Sequence, residues 1–560
     1  MYLEIIDGLN EEAYYEYTVC PSDDTDIPCQ TGTKSEVNTA NSINFDCEPL
    51  QSYSITVIEK DLATDVVLST STGTAMCMYV RREIRQLTTD DLTTTMDAMY
   101  TLWSVKEADG ISLYGENYHD YTYLLKIHHF NAAWQDSDHI HEGNGFMMQH
   151  LKLTNILEKS MQAVNPSVTL PYWDFTIDHA DGKSAYDSYV MSEEVFGSMN
   201  RPSQLHEGYT YSNDEIVSGA IMNGRWKLLK AEKNIDYEEL SGGYGYMRAP
   251  WNMNPSPYIS RFAADYGIGT YLPTCESHYT ILQYDNMMDF FVDMEDAPHA
   301  TTHSLTGGIY GCDLLEPLLD QGLITDELAM KNICSKWVFY MKEFYRSNYL
   351  TPSTDCEVDE SSMQTSSCSY ICNEETTEVL AEDLKTKLAA HIPSDLDEED
   401  MGVWTDFICN GDGSKIFAGD HLESASPADP SFWVIHPTLE RLLQAKLMAG
   451  GFSDESWASD SEDDYVCAKS SCYENGVKEY HENCCYGHYE SDQLLDAVTG
   501  SKDDKMGPTN GYMLESADPR SSTYKLEYIY DGFGYDHCDD DYDFAGLFDT
   551  MFAASLSRKK

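Results

Sequence analysis

Histidine placement sets the tightest limit on how this chain can fold. Of 17 histidines in 560 residues, five lie between His128 and His150, a pair stands at His299 and His303, and His436 follows far downstream. Histidines four apart on a helix project from one face about a turn apart, which lets two imidazoles bind one ion. Such a pair also arises by chance and does not by itself establish a metal site. His436 adds a third position. The run Asp429-Pro-Ser-Phe-Trp-Val-Ile-His436 opens with Asp at a helix N-cap and Pro at the first helical position, placing His436 on the first two turns. Upstream, His141-Glu-Gly-Asn-Gly-Phe146 precedes His150 on a predicted helix continuing to Glu158, and Leu170-Pro-Tyr-Trp-Asp-Phe175 follows.

Together these stretches resemble the common central domain of tyrosinases, catechol oxidases and molluscan haemocyanins, the type-3 dicopper family. The family's first motif, His-x4-Phe-x3-His with Glu eight residues later, is met by His141, Phe146, His150 and Glu158. Its trailing Pro-Tyr-Trp-Asp is met by Pro171, Tyr172, Trp173 and Asp174, and its second motif, Asp-Pro-x-Phe-x3-His, by Asp429, Pro430, Phe432 and His436. The likeness covers roughly residues 80 to 450 and implies a mainly α fold: a four-helix-bundle dicopper core, with a small β-rich N-terminal module and cysteine-rich loop insertions. Carried over position by position, it implies His128, His141 and His150 as ligands of one copper and His299, His303 and His436 as ligands of the second. His129 beside His128, and His139 ahead of His141, remain competitors. Imidazole suits copper, and three ligands leave a position open for O₂ and substrate.

Departures from the pattern are informative. The family's Arg after the third ligand is Leu151 here, and its Asp after the last ligand is Glu440. The gap from His303 to Asp429 holds 125 residues, against a few tens in the family, so an insertion at about 312–415 forms either a wall over the site or a surface decoration. Some members tie a ligand histidine to a nearby cysteine by a thioether. No cysteine lies between Cys77 and Cys275, so His141 must be fixed by hydrogen bonds instead.

The resemblance implies oxidation of o-diphenols to o-quinones by O₂, with or without prior hydroxylation of monophenols; haemocyanins use the same centre only to carry O₂. Glu295, four residues before His299, stands where many members keep an acid that orients water, which makes it the candidate general base. A solvated carboxylate beside Asp293 and Asp296 is the alternative. Ala300 replaces the Asn that often follows this histidine in monophenol hydroxylases, so catechol oxidation is expected to outrun tyrosine hydroxylation. An oxygen-binding protein and an acidic matrix protein binding calcium through many carboxylates are readings from other classes.

Composition narrows the partners. With 96 acidic and 35 basic residues the net charge is −61, which argues against nucleic acid and anionic membrane surfaces. It would also draw neutral or cationic phenols in preference to carboxylated ones. A hydrophobic content of 42%, with 40 Tyr, is too rich for a disordered chain. No stretch reaches the roughly 20 apolar residues of a membrane span. The 16 cysteines, some tightly grouped, read as disulfides of a secreted protein, although no signal peptide is visible. A cytosolic chain with free or zinc-bound thiols is the alternative, and zinc would fall on Cys472, His481, Cys484, Cys485 and His488. Short alternating runs predict a β-rich module over 1–78, and Val80–Leu87 and Thr88–Val105 predict two helices. The dicopper domain is placed at 79–455 and an acidic, cysteine-rich extension at 456–560, which could cover the site as such segments do in several relatives.

Overall fold

The computed structural model describes residues 2–4, 12–22, 28–34, 42–44, 47–199, 219–233, 240–262, 272–353, 356, 358–359, 364–365, 368–458, 466–468, 484–495, 505–521, 523–539 and 541–558. It divides into two compact units: Met1–Arg81 with Ser522–Asp531, and Arg82–Ser521 with Gly532–Lys560. The described residues beyond 455 are divided between them, Ser522–Asp531 falling in the first unit and the others in the second.

The first unit is built on an antiparallel sheet of β1 (Ala13–Pro21), β2 (Gln30–Lys34), β3 (Ser52–Asp61) and β4 (Val67–Met76), in the order β2-β1-β3-β4. Val19, Tyr53 and Ile55 form its small buried cluster, and Cys20–Cys29 and Cys47–Cys77 staple it. Val80–Leu87 does not form the predicted helix. Tyr79–Arg81 (β5) pairs in parallel with Tyr528–Tyr530 (β6), where the Arg81 guanidinium lies over the Tyr528 ring at 3.4 Å, and only a 3-10 turn at Ile84–Gln86 follows. A partner more than 400 residues away claims this segment, and local periodicity could not register it.

The second unit is helical, as the sequence implied. The predicted helix after Thr88 is α1 (Thr89–Ser104): the Thr88 hydroxyl accepts from the Asp91 N–H, and Leu92, Met96, Met99 and Trp103 are buried at helical spacing. Its Trp103 stacks on Tyr121 of α2 (Tyr121–Ala132), the rings 4.8 Å apart. Next come α3 (Phe146–Val164), α4 (Met287–Met294), a π-helical turn at Glu295–Ala300, α5 (Thr301–Gly307), α6 (Trp337–Arg346) and α7 (Phe432–Met448). Nearly every residue of α7 is buried, so it is a core helix.

Asp429 stands at the entry to helix α7, whose regular part starts at Phe432: its backbone is extended and its carboxylate faces the first turn, as the sequence predicts. It is held by the buried Arg261 guanidinium at 2.6 and 2.7 Å, while its Oδ1 also accepts from the Ser431 N–H and hydroxyl. One carboxylate thus serves both a bidentate charged partner and the amide at the start of the helix.

Every described cysteine is in a disulfide, including Cys275–Cys538, Cys312–Cys334, Cys356–Cys368, Cys372–Cys409 and Cys467–Cys485. Cys485 is therefore unavailable to zinc; Cys472 and His481 lie outside the described residues. Among the described residues no helix is long and apolar enough to cross a membrane.

Candidate metal centre

Five of the six histidines sit on helical segments. Asp120 starts α2, its carboxylate accepting from the Tyr123 N–H at 3.1 Å, and α2 carries His128. Helix α3 carries His150, α5 carries His303 and α7 carries His436. His299 lies on the π-helical turn, where Pro298 lacks the N–H that a regular helix would use and the hydrogen-bond register widens. His141 alone stands on a loop, between α2 and α3. The ring nitrogens form two groups, His128 with His141 and His150, and His299 with His303 and His436, each with ligand atoms within 4.8 Å of one another.

The hydrogen bonds orient these rings. Nδ1–H donates to the Ser424 carbonyl from His128 (2.7 Å), to Asp138 Oδ1 from His141 (3.2 Å) and to the Phe146 carbonyl from His150 (2.8 Å). In the second group it donates to the Glu295 carbonyl from His299 (3.1 Å) and to the His421 carbonyl from His303 (2.8 Å). Each of these five rings therefore turns the Nε2 lone pair inward, the tautomer a metal ligand needs.

The Nε2 atoms of His150, His299, His303 and His436 are buried with no hydrogen-bond partner, and the facing Nε2 atoms of His128 and His141 are 3.1 Å apart. Such inward lone pairs repel one another and lose hydration with no return unless a cation lies among them. The residues thus fit copper. Burial, and after it the nearby histidines, hold His128, His150, His299 and His436 well below the usual imidazole pKa, keeping them neutral.

The motif phenylalanines lock the rings. Phe146 lies 4.5 Å from His150 and 4.6 Å from His299, and Phe432 lies 4.3 Å from His436 and 5.3 Å from His128, so each touches both groups. The Pro-Tyr-Trp-Asp stretch buttresses α7. Trp173 N–H donates to the Val434 carbonyl and its carbonyl accepts from the Thr438 hydroxyl, on either side of His436, while Asp174 pairs with Arg441 at 2.9 Å. Glu158 accepts from the Leu170 N–H, and Glu440 from the Thr154 hydroxyl, tying α7 to α3.

The competitors lie elsewhere. His129 donates from Nδ1 to the Ser424 hydroxyl at 2.8 Å, and His139 to the Tyr486 carbonyl at 2.9 Å; neither belongs to the two groups. Gln149, beside His150, donates to the carbonyls of His139 and Gly487.

A cavity of about 190 Å³ opens against His141, His299 and His303. Glu295 lines it, half-buried, with Oε1 accepting from the Glu142 N–H at 2.6 Å; burial, and then Glu142, Asp138 and Asp296, push its carboxyl well above the usual range. Val338, Phe339 and Lys342 of α6 also line the cavity, so the insertion forms part of its wall. Sequence reasoning missed His421, whose ring packs 5.1 Å from His303 and whose Nε2 meets the Ser431 hydroxyl. It also missed Trp251, Lys342 and Glu423 in the wall. No local motif marks any of these.

Comparison with known proteins points the same way. Residues 118–319 match the model of the common central domain of tyrosinase. A tyrosinase-like protein of Caenorhabditis elegans is 27% identical over 31% of this chain and 20% of its own length. Grixazone synthase of Streptomyces griseus is 37% identical over 16% of this chain and 24% of its own. A 5,6-dihydroxyindole-2-carboxylic acid oxidase of Carassius auratus is 30% identical over 24% of each. The match spans between a fifth and a quarter of these relatives' lengths. Residues 118–319, which carry five of the six histidines of the two groups, are thus similar to the common central domain of tyrosinase.

Proposed function

We propose that the chain is a copper-dependent phenol oxidase that converts o-diphenols to o-quinones with O₂, with weaker hydroxylation of monophenols. The observation that carries this reading is the cavity reaching His141, His299 and His303, which gives a phenol a route to the metal centre. His128, His141 and His150 would hold one copper ion, and His299, His303 and His436 a second. Bound there, copper supplies O₂ binding and the electron acceptance that phenol oxidation requires.

The protein's share is to bind, orient and move protons. Glu295 is proposed as the base that takes the phenol proton, supported by its place in the cavity wall four residues before His299. The net charge of −61 favours neutral or ammonium-bearing phenols over carboxylated ones by long-range attraction. The disulfides support secretion into an oxidising compartment. The test is copper reconstitution, a count of ions per chain, and oxygen uptake with catechol, dopa and tyrosine. Catechol should turn over fastest; two coppers without turnover would leave an oxygen-binding role instead.

A further inference from the structure

His141 has the least local support of the six histidines. It stands on a loop, the next residue, Glu142, has a left-handed backbone (φ 60°), and no cysteine lies between Cys77 and Cys275 to tether it. Its ring and its backbone N–H share one acceptor, Asp138 Oδ1, at 3.2 and 2.8 Å. Two cations of α6 hold this acceptor in place. Lys342 Nζ contacts Asp138 Oδ2 at 3.2 Å and Glu142 Oε1 at 2.5 Å. Arg346 contacts Asp138 Oδ2 at 3.3 Å and Glu142 Oε2 at 3.1 Å, and also donates to the Ala132 carbonyl at the end of α2. The network closes on itself, with carboxylates flanking His141 in sequence and cations one helical turn apart on α6.

We infer that Lys342 and Arg346 are positioning residues for His141, acting through Asp138 and Glu142, and that the insertion thereby completes the metal centre. The inference rests on the copper reading. Four features support it. Arg346 is 1% exposed and Lys342 14%, so their ion pairs are shielded from solvent. Trp251 lies against both cations, at 5.4 and 5.9 Å, restricting where they can go. Glu142 also donates its N–H to Glu295, so the clamp is continuous with the turn bearing His299. Finally, α6 lies outside the matched stretch 118–319, so the ligand motifs do not include this support.

Lys342→Met in the full chain tests the inference, with Lys342→Arg as the rescue and Glu142→Gln as a second probe should the first fail to fold. In the copper-free protein, amide hydrogen exchange across 138–145 is expected to speed up while exchange in α1 and the melting temperature hold. In a chelator competition, copper affinity is expected to fall about 10-fold to 100-fold, with most of it restored by Lys342→Arg. Unchanged exchange, or faster exchange with unchanged copper affinity, overturns the positioning role. A general rise in exchange throughout the chain does so as well, since it marks a structural role only. If the unaltered chain takes up no copper, the copper reading fails and the inference falls with it.

Discussion

The imidazoles of His150 and His436 stack face to face, centroids 4.3 Å apart and planes within 4° of parallel. They belong to different triads and lie 286 residues apart in sequence, on α3 and α7. The contact makes one core of the two groups, because neither ring can swing without displacing the other.

His436→Ala removes a ligand and this stacking partner together. Copper analysis of the reconstituted protein is expected to fall from two ions per chain towards one, with catechol oxidation lost. Retention of both ions would exclude His436 as a ligand.

Glu295→Gln keeps the shape of the cavity wall and removes a base. Catechol turnover is expected to drop about 100-fold or more, with copper content unchanged. Unaltered turnover would leave Glu295 as a wall residue only.

The loop bearing His141 is held by the tail as well as by α6. Gly143 bridges to Cys467, the Ala468 N–H donates to the Glu142 carbonyl, and His488 contacts the Asp138 carbonyl at 3.0 Å. Gly145 fits so tightly beneath Gly487 that an added Cβ would lie 2.1 Å from its carbonyl oxygen. Gly145→Ala should therefore cost about 1–3 kcal/mol by overpacking and lower copper retention, read by thermal melting and metal analysis. For the same reason, losing the described tail residues should weaken the site where removal of a cover would unmask it.

Burial alone would raise the Asp174 carboxyl, but the Arg441 guanidinium, with His278 and His537, brings it from 3.8 down to about 2. The folded state therefore holds this carboxylate charged where the unfolded chain would protonate it. The resulting stability, about 2 kcal/mol, is present above pH 3.8 and is lost as pH falls through about 2. Asp174→Asn should flatten the acid limb of a stability profile over that window. It should also cost about 3–5 kcal/mol at neutral pH by leaving Arg441 buried without its charge partner.

What could be read from the sequence follows from how local each determinant is. The histidines that gather, and the phenylalanines wedged between them, are recorded as short fixed spacings that a helix turns into geometry. The N-cap role of Asp429 is local and legible, whereas its ion-pair partner, Arg261, is 168 residues away and is not. Val80–Leu87 misled because β6, which claims its start, lies far along the chain. Lys342, Arg346 and His421 were invisible for a related reason: their roles exist only once the insertion folds back on the His141 loop and the segment after it on α5.

Cys275 begins the helix leading towards α4, and its disulfide partner, Cys538, comes 263 residues later. During synthesis its thiol waits until that distant partner has left the ribosome, so the bond can close only as a late step in maturation. An oxidant or disulfide isomerase acting too early would find nearer thiols, Cys312 and Cys334 among them. The yield of folded chain would then depend as much on the timing of oxidation as on the stability of the finished fold.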